Sequence, residues 1–118
     1  MSSLVSTTTI SPLLAGDHPH VVADVTVLSG QNLAANTVIG QVSASKKFVK
    51  CDKDAVDGSQ YARGVLLEAC NASTGDATGS AVIHGEVDQD LLVFGTGDVL
   101  ADHLVNLWAA GIYPVDRG

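Results

Sequence analysis

Asp57–Cys70 reads DGSQYARGVLLEAC: a turn dipeptide followed by a strand. Asp57-Gly58 ends a polar loop that opens at Asp52, because Gly supplies the backbone angles of a tight turn and Asp tolerates them. The strand expected over Tyr61–Cys70 carries Val65, Leu66 and Leu67 in succession, without polar alternation. Such a run marks a strand covered on both faces. Fold class follows from what flanks it.

Towards the N-terminus, Val21–Leu28 alternates apolar and polar residues (Val25 and Val27 against Asp24 and Thr26) and reads as a strand. Ser29-Gly30-Gln31-Asn32 is turn chemistry. Thr37–Val42 and Lys46–Asp52 are two further expected strands. Gly40 lies inside the first of these, where a glycine signals a bulge or a close backbone approach. Towards the C-terminus, Asn71–Ser80 reads as a loop, and Ala81–Val87 and Leu91–Phe94 as strands. Leu100, Leu104, Leu107 and Trp108 recur at helical spacing, with Asp98 or Thr96 as the cap and Gly111 as the stop. Ile112–Val115 closes the chain as a strand. The expected fold is mainly β (α+β): a small mixed β-barrel or β-tulip-like domain with one short C-terminal helix.

The 118 residues suffice for one domain. By surface scaling, roughly two-thirds of the unfolded chain's surface is buried, enough for a core without metals or cross-links. That core is aliphatic, since 46% of residues are hydrophobic and only 4% aromatic. The net charge of −7 argues against nucleic acid as a partner, because phosphate binding needs clustered Lys and Arg. All four lysines (Lys46, Lys47, Lys50, Lys53) fall together, which a solvated hairpin explains. Gly64–Asp116 holds eight acids and no Lys or Arg. Cys51 and Cys70 match no zinc or redox spacing and are expected as reduced, buried residues. No run approaches the roughly 20 apolar residues that span a bilayer, and no secretory signal is read at the N-terminus. A soluble protein with no membrane partner is expected.

Residues 1–20 stand apart from the compact domain expected over 21–118. The first charge is Asp17, and Pro12 and Pro19 disfavour helix before them. Leu4, Val5, Ser6, Thr7, Thr8, Thr9 and Ile10 are too polar for a core. They are also too β-branched for a neutral linker. Such an arm is suited to adding a strand to another protein's sheet. Few large apolar side chains offset an ordering cost of about 1–2 kcal/mol per residue, so the arm is expected to be flexible when free.

No catalytic constellation emerges. Gly95-Thr-Gly97 lies between a strand and a helix, but Leu100 stands where a dinucleotide fingerprint needs its third glycine, and Asp98 would repel a pyrophosphate. Glu86, Asp88 and Asp90 recur with period two, yet they lack Ca²⁺-loop spacing and read better as an acidic strand edge. His18, His20, His84 and His103 are given structural or solvent-facing roles. No cofactor, metal or catalytic residue is assigned.

The succession SGQNLAANTVIGQV (Ser29–Val42), DGSQYARGVLLEAC (Asp57–Cys70), AVIHGEVDQDLLVF (Ala81–Phe94) and LWAAGIYPV (Leu107–Val115) resembles the head decoration proteins of tailed bacteriophages, the lambda-type protein D family. That resemblance implies a homotrimer seated over three-fold positions of an expanded head. It also implies a virion location on the outer capsid surface after synthesis in the host cytoplasm. The arm, Ser2–Gly16 by position, would pair with β structure of the major capsid protein. Leu104, Trp108 and Ile112 are the expected trimer contacts, a buried role for the same side chains being at least as well supported. Two other readings stay open: a β binding module of a phage tail or baseplate, and an acid/base enzyme using Asp88 and Asp90.

Overall fold

Val25, Val27, Ile39, Leu66 and Ala81 come from four separate strands and share one apolar cluster. The sheet must curl to bring them together. The computed structural model describes residues 20–95 and 97–116. Its elements are β1 (Val21–Val27), β2 (Asn32–Leu33), β3 (Val38–Gln41), β4 (Phe48–Lys50), β5 (Ala62–Leu66), β6 (Cys70–Asn71), β7 (Ala77–Asp88), a 3-10 turn (Gln89–Leu91), α1 (Leu100–Ala110) and β8 (Ile112–Val115). The sheet runs β1-β4-β3-β5-β7, and β7 pairs again with β1. Five strands thus close a barrel, and the fold is mainly β with one short helix near the C-terminus.

β7 is the element that closes it. Residues 77–84 pair antiparallel with all of β1, from Val27↔Ala77 to Val21↔His84. Its last four residues pair in parallel with β8, from Gly85↔Ile112 to Asp88↔Val115. β2 and β6 form a separate two-stranded clip.

Adjacent residues of the central strands point opposite ways, as the pleat requires. Ile39, Leu66 and Ala81 belong to the cluster shared with β1, whereas Val38, Val65 and Val82 pack with Leu107 of α1 and Ile112 of β8. Helix and final strand therefore cover one side of β3, β5 and β7. This accounts for the uninterrupted apolar run in β5. At roughly 25 cal/mol per Å² of apolar surface, each such side chain contributes on the order of 2 kcal/mol.

Gly40 combines both readings of an interior glycine. The β3–β5 register shifts between Ile39 and Gly40, and a Cβ there would lie 2.2 Å from the Ser59 carbonyl oxygen. Gly111 caps α1 in the left-handed region at φ 92°, with its N–H directed to the carbonyls of Leu107 and Trp108.

Several boundaries differ from the sequence reading. The strand expected over Tyr61–Cys70 ends at Leu66 and resumes as β6. The loop expected over Asn71–Ser80 gives up residues 77–80 to β7, because pairing with β1 outweighs their low strand preference. Leu91–Phe94 is no strand: Leu91 ends the 3-10 turn, and the rest contributes the isolated bridge Thr37↔Val93. Asp98 does not cap α1. Val99 takes the N-cap position, and its N–H donates to the Asp102 carboxylate at 2.8 Å.

Candidate interaction surface

The groups with chemical potential are mostly spent on structure. Glu86 and Asp88 lie on β7, but Asp90 has left the strand, so the expected three-carboxylate face does not form. Asp88 instead accepts the Asp90 amide at 3.0 Å and caps the 3-10 turn. Among the described residues, no three His, Cys, Asp or Glu side chains are placed to hold a metal ion.

One arrangement escaped the sequence reading. His103 is fully buried, with Nε2 2.8 Å from Asp98 Oδ2 and Nδ1 3.4 Å from the Cys51 sulfur. Its ring stacks on Phe94 at a centroid distance of 5.8 Å. The order Cys–His–Asp is that of a nucleophilic relay, yet its chemistry runs the other way. Burial, then the charges of Asp98 and Asp52, push the Cys51 thiol up to about 12. A thiol so protonated and only 1% exposed is no nucleophile. The group fastens the residue after β4, the loop ahead of α1 and α1 itself.

Three of the four lysines, Lys46, Lys47 and Lys50, lie on the β3–β4 hairpin, and Lys53 lies beyond it. Lys46 and Lys47 sit in the β3–β4 connection, and Lys47 pairs with Asp76 at 2.5 Å. Lys53 donates to the Gly97 carbonyl and approaches Asp102 at 3.8 Å.

Apolar surface is exposed at Val56, at Val21 and Val22 of β1, and on α1. Leu107 and His103 face the barrel, while Val105 is 70% and Trp108 51% exposed. Val105, Trp108 and Ala109 share the outer face by the three- and four-residue spacing of a helix. Beside them runs a groove of about 540 Å³, lined by Phe48, Tyr61, Arg63, Ile83, Asn106 and Ala109 among others. Of the three expected trimer contacts, Trp108 is on the surface and Leu104 is half-buried. Ile112 is wholly buried in the core and offers nothing to a second copy. Trp108 shares helical spacing with Leu100, Leu104 and Leu107 but lies outside the buried stripe. That stripe runs through Leu100, His103, Leu104 and Leu107, with His103 and Leu107 fully buried.

The arm residues Leu4–Ile10 lie outside the described residues. The first described residue, His20, already touches the barrel: its Nε2 is 3.0 Å from the Glu86 carbonyl oxygen.

A family model described as Bacteriophage lambda head decoration protein D matches residues 6–112. The chain belongs to that family. As a phage head decoration protein it is a structural component of the virion that binds the capsid, and its class is not an enzymatic one. No curated protein matches the chain.

Proposed function

We propose that this decoration protein binds the expanded head as a homotrimer over three-fold positions, on the outer capsid surface, and stiffens the shell against packaged DNA. Its arm, centred on Leu4–Ile10, is proposed to add a strand to β structure of the major capsid protein. The observation that carries this reading is the closure of the barrel from Val21 onward. β7 pairs the whole of β1, so no residue of the arm is needed to complete the domain.

The energetics suit a trimer. Sixteen extended residues reach at most about 53–58 Å, enough to cross a neighbouring subunit's face. Ordering ten of them costs about 10–20 kcal/mol, close to what strand pairing returns, so a single arm holds weakly. Three arms on one rigid body make the second and third attachments intramolecular, and the grip rises without new kinds of contact. A net charge of −7 keeps decorated particles apart and supports synthesis as a soluble protein in the host cytoplasm.

Deleting Met1–Gly16 tests the reading. The truncated protein is expected to fold and self-associate as before but to be absent from undecorated expanded heads after co-sedimentation. Normal decoration by the truncated chain would overturn it.

A further inference from the structure

The Gly85 N–H donates to the Gly111 carbonyl at 2.9 Å, and Gly85 lies opposite Ile112 in the parallel β7–β8 ladder. Backbone groups alternate in direction along a strand. Gly111, Tyr113 and Val115 therefore turn theirs towards β7, and Ile112 and Pro114 turn theirs away. By the same rule the Glu86 carbonyl faces away from β8, where the His20 ring meets it at 3.0 Å. The barrel strands close on one another through β1 and β7, whereas β8 is the last strand of its sheet. Among the described residues, no strand pairs β8 on its far side. Tyr113 is 37% exposed there, and Pro114 and Val115 are half-buried.

Ile112, Tyr113 and Val115 are strong strand formers, and none of them is charged. An open row of that composition is a template for pairing with another chain. Pro114 breaks the row. Of the two residues whose backbone faces outward, Ile112 carries an N–H and Pro114 carries none, and a proline ring stands where an incoming carbonyl would lie. The ladder to β7 loses nothing, since the Pro114 nitrogen is on the side away from it. We infer that Pro114 bars this edge from pairing with the same edge of a second copy. Such a contact would set β8 antiparallel to β8 about a two-fold axis. A protein that decorates a capsid is held close to other copies of itself, where an open edge would link them. The inference depends neither on how the arm binds nor on the trimer.

The test restores the missing donor in the full chain. Pro114→Val returns an outward N–H on a strand-favouring side chain, and Pro114→Ala does so with the least bulk. Pro114→Val is expected to sediment at roughly twice the wild-type mass or more, at concentrations where the wild type keeps one size. In those larger species the amide at position 114 is expected to be protected from hydrogen exchange and to lose that protection on dilution. A Pro114→Val chain with wild-type circular dichroism that keeps the wild-type mass at every concentration would overturn the inference. Larger species in which that amide exchanges freely would overturn it too, because association would then run through another surface. Should Pro114→Val fail to fold, the same two measurements on Pro114→Ala decide.

Discussion

His103 donates its Nε2 hydrogen to Asp98 across 2.8 Å, with 0% of the His103 side chain and 2% of the Asp98 side chain exposed. Asp98 is the acceptor because it is held ionised. Burial works to raise its pKa, but hydrogen bonds from His103 and from the Lys53 amide, together with the charges of those residues, outweigh it and set it below the ordinary range. On the other side of the ring, Nδ1 lies 3.4 Å from the Cys51 sulfur. Lys53 N–H completes the network at 3.0 Å. Residues 52 apart in the chain are thereby joined at the start of α1.

Replacing His103 should be costly. His103→Ala strands a carboxylate with little solvent and opens a cavity against Phe94, so a loss of about 3–5 kcal/mol is expected. His103→Gln retains a donor and should lose less. Urea unfolding of the three proteins measures the difference; equal midpoints would show that the network contributes nothing.

The same pair sets a pH dependence. Because Asp98's pKa is lowered in the folded state, its contribution is complete above its unfolded value, near 3.8. It fades as pH falls below that value and through the folded pKa. Thermal unfolding of wild type and Asp98→Asn should therefore differ most near neutrality and converge below about pH 4. A gap that widens on acidification would reverse the assignment.

Cys51 should be inert in the folded protein. With the thiol pushed up to about 12 and 1% exposed, a disulfide reagent at pH 8 is expected to label it only as fast as the domain opens. Labelling in urea, followed by mass spectrometry to separate Cys51 from Cys70, reads this directly. Rapid labelling of Cys51 without denaturant would contradict the buried geometry.

Two glycines should resist the smallest enlargement. A Cβ at Gly40 would meet backbone, the Ser59 carbonyl, at 2.2 Å, which no side-chain rotation relieves. Gly40→Ala is expected to cost about 3 kcal/mol or more and to lower the melting temperature accordingly. At Gly111 the Cβ would meet the His84 ring at 2.5 Å, and φ there is 92°, so Gly111→Ala should fray α1 as well. Melting temperatures within a degree of wild type would refute the close approach.

Local patterns carried much of this. The alternation in Val21–Val27 and the Leu100–Leu107 spacing report burial through periods of two and 3.6, and the unbroken run at Val65–Leu66 reports burial on both faces, all of which neighbouring residues alone impose. Gly40 and Gly111 were readable for the same reason, since only a missing Cβ suits their positions. Partner choice was not readable. Ala77–Ser80 looks like a loop until β1 lies beside it, and Asp98 looks like a helix cap until His103 claims its carboxylate. Ile112 and Trp108 are both large and apolar, but the barrel takes one and leaves the other in solvent. Chemistry and local backbone preference are written residue by residue. Which groups meet across tens of residues depends on how the sheet closes, and closure is a property of the whole chain.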